Sequence, residues 1–181
     1  DQIGKFYHEH RHKLTTKLKL GLSDTYNLFH ARALPAPEQA EAVALLPTKD
    51  MEKQYGKAIT ALLRHLAASK EATYTLEQAL AGIHRLRALH VEMDQAVLEA
   101  YGWSDLSLRH DFYEVDYLPE NDRVRYTIHP EARREVLKRL LELNHRVYAE
   151  EVARGLHDKG KKRTSEQKNE GIKSDGQGRL F

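Results

Sequence analysis

The 181-residue sequence contains no cysteine, one tryptophan and only ten glycines. The lack of cysteine excludes a disulfide framework and a thiolate metal site. No run of 18 or more apolar residues occurs, which predicts that no segment crosses a membrane. The first residues, DQIGKFYHEHRHK, lack the apolar stretch of a secretory signal, so we expect a cytoplasmic protein.

Glycine-based motifs of common enzymes are also missing. The chain holds neither GxxxxGK[ST] nor GxGxxG, which cradle phosphates, and it lacks the GxSxG elbow of many hydrolases. No complete catalytic set emerges from the remaining residues, so we predict no catalytic residue in this chain. A free-standing enzyme is accordingly the least favoured interpretation.

Charge divides the chain into two parts. From residue 158 onward seven Lys or Arg stand against four Asp or Glu, a net charge of +3, which leaves 22 basic and 23 acidic residues before it. Because the first part is balanced, at −1, any affinity for nucleic acid must come from a local basic face. We expect a helical domain over residues 1–157 and a flexible basic tail over residues 158–181.

The strongest helical pattern lies between residues 75 and 103. Thr75 and Gln78 have the spacing of a capping box, and Gly102 can adopt the left-handed conformation that ends a helix. The apolar residues recur every three or four positions at Leu76, Leu80, Ile83, Leu86, Met93, Val97 and Ala100. This pattern predicts one long helix on which the other elements pack.

Three further stretches have apolar residues at helical spacing. They are residues 3–20, residues 50–69 and the stretch that Pro130 opens and Gly155 ends. Since the second of them connects to the long helix through a short turn, the two should pack antiparallel. Residues 33–50 hold three of the five prolines, which predicts a loop with one short helix.

The periodicity changes after the long helix. Residues 112–118 and 123–128 are rich in Tyr, Val, Ile and Phe, and the PEND sequence between them is typical of a tight turn. These features predict a β-hairpin that must lie against the helices to be stable. The fold class is therefore mainly α: a helical bundle of about four helices with one small antiparallel β-hairpin near residues 112–128 and a disordered C-terminal tail.

Eleven histidines raise the question of a metal site. His8, His10 and His12 alternate at a spacing that diverges around a helix, so solvated surface histidines are favoured over ligands. His90 and Asp94 lie one helical turn apart, either as a ligand pair or as a core histidine whose ring is held by Asp94 or by a backbone carbonyl. Since no third and fourth ligand is evident, we predict no metal.

Basic side chains in the second half are candidates for DNA contact. Six of them form the candidate set: Arg109, Arg123, Arg125, Arg133, Arg134 and Lys138. If the hairpin packs with its apolar side down, Arg123 and Arg125 point outward together, and the candidates on the last helix lie on its exposed side. Acidic residues lie close by, so an ordinary solvated face stays open as the alternative.

The last five residues, QGRLF, have a short recognition pattern. Gln177, Leu180 and Phe181 match the QxxLF pentapeptides with which bacterial proteins dock on the DNA sliding clamp, and we note the resemblance. A flexible tether that ends in a Leu-Phe anchor suits binding of a peptide in a pocket. The resemblance implies the DNA sliding clamp as a possible partner.

Four segments carry a family resemblance. They are LGLSDTYNLFH at 20–30, IHRLRALHVEMDQAVLEAYGWSDL at 83–106, RYTIHPEARREVLKRLLELNHRVYAEE at 125–151, and the hairpin that links the last two. In this order they resemble the extreme C-terminal region of bacterial type IIG-like restriction-modification proteins, the fused N6-adenine DNA methyltransferases, and their relatives in phage defence. The run LHVEMDQAVLEAYGW is the most distinctive, and residues 33–73 match least.

The resemblance implies a parent enzyme that transfers a methyl group from S-adenosylmethionine to an adenine flipped out of double-stranded DNA. In that family the [DNS]PP[YFW] motif and a glycine-bearing cofactor loop carry the chemistry, and neither occurs in this sequence. We therefore carry over no catalytic or cofactor residue, and we expect no cofactor in this chain itself. A chain that begins Asp-Gln, without methionine, fits a fragment or a split-off subunit of the larger enzyme, which can also have endonuclease activity.

Two functional hypotheses remain. The first is a non-catalytic C-terminal module that supports target recognition and contacts double-stranded DNA. The second is a helical interaction module that joins the remainder of the methyltransferase chain, or a methyltransferase subunit, to a partner subunit. In the second case the long helices should expose an apolar strip.

Overall fold

The computed structural model describes residues 2–157, with only the backbone described at position 121. Within this range lie seven α-helices, and we number them in chain order: α1 Gln2–Leu18, α2 Leu22–Phe29, α3 Ala40–Ala44, α4 Thr48–Tyr55, α5 Lys57–Ala68, α6 Leu76–Ala100 and α7 Pro130–Ala153. Two strands, β1 Asp111–Glu114 and β2 Val124–Thr127, form an antiparallel hairpin. The prediction of a mainly helical fold with one small hairpin is confirmed.

The helix count differs from the predicted four. Four helices exceed ten residues, with 17, 12, 25 and 24 residues in α1, α5, α6 and α7. The stretch predicted as one helix over residues 50–69 is divided because Gly56 has a φ of +81°, which ends α4 and lets the chain start α5 in a new direction. The short helix α3 lies in the stretch 33–50, where a loop with one short helix is predicted, and α2 is a further short helix.

The start and end of α6 follow from local sequence signals. The Thr75 hydroxyl oxygen accepts a hydrogen bond from the Gln78 amide at 3.2 Å, and the Thr75 amide donates to the Gln78 side chain at 3.0 Å. At the other end Gly102 has a φ of +72°. The predicted capping box and the predicted glycine stop are both confirmed.

The N-terminal half of α6 forms the centre of the hydrophobic core. Leu80, Ile83 and Leu86 are fully buried, as the sequence predicts. Near the C-terminal end the prediction is wrong, because Val97 is 50% exposed and Leu98 is buried instead. Because an α-helix has 3.6 residues per turn, residues that repeat every seven positions shift by about 20° around the helix axis with each heptad. After three heptads, such positions no longer lie on the buried face.

The helix α1 packs closely on α6. Leu14 of α1 lies against Gly82, where the absence of a side chain leaves room for it. The ring of His10 contacts the Gly82 carbonyl oxygen through Nε2 at 2.8 Å. This close approach anchors the first helix along the central one.

The hairpin is supported by side chains from the helices, as expected for an isolated two-stranded sheet. Phe112 of β1 pairs with Tyr126 of β2, and their rings are 5.4 Å apart. The Tyr126 ring also lies 5.6 Å from that of Phe29 at the end of α2. The inward side of β2 thus continues the helical core.

The described chain divides into two compact units, of which the first is Asp1–Arg133 and the second begins at Arg134. In the second unit α7 exposes several large apolar side chains: Leu137, Leu141, Val147, Tyr148 and Val152. Among residues 2–157 no helix is both long and apolar enough to cross a membrane. The proposed boundaries of a 1–157 domain and a 158–181 tail stay a prediction.

Candidate functional site

Aromatic and histidine rings from four parts of the first unit meet beside the hairpin. We call this set the aromatic–histidine cluster; its members are Phe29 and His30 of α2, His90 of α6, His110 before β1, and Tyr126 of β2. Phe29 contacts His90 edge-on at 5.5 Å, and His90 contacts His110 at 6.1 Å between ring centroids. Residues from segments 20–30, 83–106 and 125–151 therefore converge on one cluster.

Arg87 of α6 joins this cluster to the backbone of α2. Its guanidinium donates hydrogen bonds to the carbonyl oxygens of Phe29 at 2.8 Å, Ala31 at 2.7 Å and Leu28 at 3.3 Å. The same group lies over the rings of Phe112 and Tyr126, at 5.1 and 5.3 Å from their centroids. Burial lowers the pKa of Arg87 to about 10, so the side chain is still charged at neutral pH.

His30 is held in its neutral form. Burial, with a smaller contribution from the charges of Arg125 and Arg87, lowers the pKa of His30 to about 4. Its Nδ1 accepts a hydrogen bond from the Tyr126 amide at 3.2 Å. A neutral ring with an unprotonated Nδ1 is the form that this contact requires.

His90, Asp94 and His110 bring three ligand atoms together, all within 4.8 Å of one another. Asp94 Oδ2 lies 2.8 Å from His110 Nε2 but 3.6 Å from His90 Nε2. The carboxylate hydrogen-bonds to His110, whereas His90 Nε2 lies beside it as a longer ion-pair contact and His90 Nδ1 is buried without a hydrogen-bond partner, so the choice between a ligand pair and a held core histidine stays a prediction. Burial lowers the pKa of His90, which favours its neutral form.

His110 is the functional candidate that sequence analysis missed. It is separated from Asp94 by 16 positions and belongs to no local motif. Only the chain reversal between α6 and β1 brings the two side chains together. No signal in residue spacing identifies this third group.

A cavity of about 320 Å³ opens beside the cluster. Aromatic walls come from Tyr26, Phe29 and Tyr126, and Arg125 and Arg133 also line it. A nucleotide can stack its base on such ring faces, and its phosphate can contact the two guanidinium groups. The cavity therefore brings two of the six DNA candidates together.

The other first-unit candidates have intramolecular partners elsewhere. Arg109 donates to Glu131 and to His129 Nδ1, both at 2.9 Å, and Arg123 Nε donates to the Leu118 carbonyl oxygen at 3.1 Å. They take no part in lining the cavity.

The expected outward pair of Arg123 and Arg125 is not formed. The Arg125 side chain is only 19% exposed and forms an ion pair with Asp122. Arg133 donates to Thr127 Oγ1 at 3.1 Å. Arg123 and Arg125 thus form no outward patch; instead Arg125 and Arg133 line the cavity. The partner of Arg133 is a small hydroxyl group, and the partner of Arg125 is an exposed carboxylate.

The remaining candidates lie outside the first unit. Arg134 and Lys138 are exposed on α7 in the second unit. Gln177, Leu180 and Phe181 lie outside the described residues, so the clamp-binding pattern stays a prediction.

The interpretation that the N-terminal histidines diverge around a helix is wrong for His8 and His12, which lie four positions apart on one face of α1. His8-Glu9-His10-Arg11-His12 contains the HExxH pattern, in which two histidines on one helix face bind zinc beside a glutamate base. His8 and His12 are exposed, and their rings stack at 6.4 Å. Within residues 2–157 no third ligand group joins them, whereas His90, Asp94 and His110 do form a group of three.

Comparison with protein-family models, with curated proteins and with solved structures finds no match to this chain.

Proposed function

We propose that the chain is a non-catalytic C-terminal module of a bacterial N6-adenine DNA methyltransferase or restriction-modification protein, and that it contacts double-stranded DNA. The resemblance of four sequence segments to that family supports the assignment. Convergence of three of these segments on the aromatic–histidine cluster is consistent with it, because residues of a shared module are expected to build one scaffold. The methyl donor, S-adenosylmethionine, would be bound by the remainder of the enzyme.

The DNA contact is carried by one observation: Arg125 and Arg133 both line the same open, aromatic-walled cavity. A guanidinium group has five donors, so Arg133 keeps donors beyond its bond to Thr127. The partner of Arg125 is Asp122, whose side chain is 56% exposed. Because that carboxylate is open to solvent, a DNA phosphate that enters the cavity can compete with it for the Arg125 guanidinium.

A salt titration of DNA affinity tests this proposal. We expect the 181-residue chain to bind a labelled duplex in a fluorescence anisotropy assay, with affinity that falls steeply between low and moderate salt. Arg125→Gln and Arg133→Gln should each weaken binding and reduce the slope of log K against log salt by about one. The matched control is Arg85→Gln, since Arg85 is exposed on α6 and paired with Glu92.

Two results would contradict the DNA contact. One is the absence of binding at low salt. The other is an equal loss of affinity in the Arg85→Gln control and in the two cavity variants, which would indicate a diffuse charge effect. A further pair, Arg134→Gln and Lys138→Gln, measures how much the exposed face of α7 adds.

A second candidate function is favoured by the exposed apolar side chains of α7. Leu137, Leu141 and Tyr148 are 59%, 58% and 56% exposed, and their spacings of four and seven place them on one side of the helix. Such a strip fits docking on the remainder of the methyltransferase or on a partner subunit. This is the interaction-module hypothesis.

Capture of the catalytic part of the methyltransferase separates the two functions. We expect Leu141→Glu to abolish co-purification with that part while leaving duplex affinity unchanged. Glu142→Lys, a charge change at an exposed position of the same helix outside the candidate DNA set, is the control. If Leu141→Glu co-purifies as well as the unaltered chain, the interaction module is refuted.

Binding of the C-terminal residues to the bacterial sliding clamp is a separate proposal, supported by the QxxLF pattern alone. Leu180→Ala together with Phe181→Ala should abolish binding of the chain to the clamp in surface plasmon resonance. Arg179→Ala, at a position that the pattern leaves open, should retain it.

A further inference from the structure

We propose that His90, Asp94 and His110 form a binding site for one divalent transition-metal ion of the zinc class. His90 also lines the cavity assigned to the DNA contact, but the metal site is argued from its own ligand geometry and does not rest on that proposal. His90 and Asp94 lie one turn apart on α6, and His110 reaches them from the segment that leads into β1. The three ligand atoms lie within 4.8 Å of one another.

The two distances from Asp94 are close to those of a metal-bound set. Zinc lies about 2.0–2.1 Å from imidazole nitrogen or carboxylate oxygen, and tetrahedral angles then place ligand atoms about 3.3 Å apart. Asp94 Oδ2 and His90 Nε2 are 3.6 Å apart, and Asp94 Oδ2 and His110 Nε2 are 2.8 Å apart. Shifts of about half an ångström, within the reach of side-chain rotation, would bring both pairs to the metal-bound spacing.

Hydrogen bonding accounts for His110 but not for His90. The contact between His110 Nε2 and Asp94 Oδ2 gives each of these two atoms a hydrogen-bond partner. His90 Nδ1 is buried without a partner, and the 3.6 Å separation from Asp94 exceeds a hydrogen bond. The buried, unpartnered nitrogen is Nδ1, whereas Nε2 is the atom that faces Asp94 without a hydrogen bond to it; the half-buried ring is packed against Tyr7 and Phe29.

The donor set indicates the class of ion. Two imidazoles and one carboxylate suit zinc, cobalt, nickel or ferrous iron, whereas calcium and magnesium require oxygen ligands. Three protein ligands leave a fourth position for water or another ligand, as in zinc sites that are not purely structural.

The exposed His8 and His12 must be removed before this site is measured, because an i, i+4 histidine pair can bind zinc by itself. The experiment therefore uses the tag-free, chelator-treated chain carrying His8→Gln and His12→Gln. We expect calorimetric titration with Zn²⁺ alone to give one bound ion per chain. Binding should also raise the melting temperature, because the ion binds the folded state.

Variants then assign the ligands. Asp94→Asn and His110→Gln, each in the same background, should weaken zinc affinity by more than about 100-fold. His84→Gln is the matched control: His84 is also on α6 and contacts the Pro35 carbonyl oxygen rather than the site. Circular dichroism of each variant shows whether the helices are retained.

A measurement without ligand variants keeps the proposal testable if those variants do not fold. In the background chain, Zn²⁺ should shift the side-chain nitrogen resonances of His90 and His110 and leave those of His84 unchanged. Failure of the background chain to bind zinc would overturn the proposal. So would zinc binding that leaves the resonances of His90 and His110 unmoved.

Discussion

The backbone amide of Tyr126 on β2 donates to Nδ1 of His30, at the end of α2, at 3.2 Å across 96 positions of sequence. In a two-stranded sheet each strand has an unpaired edge, and here a histidine side chain accepts one of the edge amides. The contact requires an unprotonated Nδ1. The attachment of the hairpin to α2 therefore depends on the charge state of one ring.

The first prediction concerns pH. The pKa of His30 is about 4 in the folded chain against an ordinary value of 6.5, so folding favours the neutral ring. The associated stability is fully present above about pH 6.5 and is lost as the pH falls toward 4. Arg125, Arg87 and His90 reinforce the shift, and Asp122 opposes it. Urea unfolding at a series of pH values should show this decline.

The control for this prediction is His30→Asn, whose amide oxygen can still accept from Tyr126. Its free energy of unfolding should depend less steeply on pH between about 6.5 and 4 than that of the unaltered chain. Parallel curves would show that other groups cause the decline.

The second prediction concerns Arg87. Replacing Arg87 by Met removes the guanidinium donor from the carbonyl oxygens of Leu28, Phe29 and Ala31, of which that of Leu28 keeps the Ala31 amide, and removes the contacts with Phe112 and Tyr126. We expect a loss of about 2–4 kcal/mol in the free energy of unfolding, measured in urea. Arg85→Met, at an exposed position of the same helix, should cost less than about 0.5 kcal/mol. Comparable losses in the two variants would contradict this account.

The third prediction concerns the contact of α1 with α6. A Cβ added at Gly82 would lie 2.4 Å from Leu14 Cδ1, and Leu14 is buried. Gly82→Ala should destabilise the chain, because overpacking costs about 1–3 kcal/mol and exceeds the gain of about 1 kcal/mol in helix propensity. In a Leu14→Val background, which removes Cδ1, the same substitution should stabilise instead. Chemical denaturation of the four proteins of this cycle gives the sign in each background.

The fourth prediction concerns the capping box of α6. Thr75→Ala removes the acceptor for the Gln78 amide and should cost about 1 kcal/mol in thermal or urea unfolding. Thr75→Ser keeps a hydroxyl at the same place and should retain most of that stability. An equal loss in both variants would show that the methyl group, rather than the cap, matters.

The sequence predicted those elements whose start, end or turn depends on residues close together in the chain. Thr75, Gln78 and Gly102 gave the start and end of α6, and the PEND turn gave the hairpin. The division at Gly56 was missed because apolar spacing continues across it, while only the backbone angle there shows the break. A continuous apolar pattern can therefore conceal a change of helix direction.

The candidate site could be predicted only in part, because its contacts are long-range. His90 and Asp94 were identified as a pair from their helical spacing. Nothing in the sequence placed His110 beside them. Alternation along β2 predicted an outward Arg125, but its ion pair with Asp122 and its position at the cavity cover most of the side chain. Alternation along a strand predicts on which face of the sheet a side chain lies. The neighbouring loops determine which groups that side chain contacts.

Arg109 immediately precedes His110 and has a φ of +48°, which is a left-handed backbone conformation. A residue with a side chain adopts this conformation only at a cost of about 1 kcal/mol. Glycine or asparagine would occupy the position more easily. The arginine is retained there by its contacts with Glu131 and His129, and its carbonyl oxygen accepts from the Tyr113 hydroxyl at 2.8 Å. The backbone conformation of Arg109 thus fixes the direction in which the His110 imidazole leaves the main chain. A substitution at Arg109 would therefore first change the contact between His110 and Asp94.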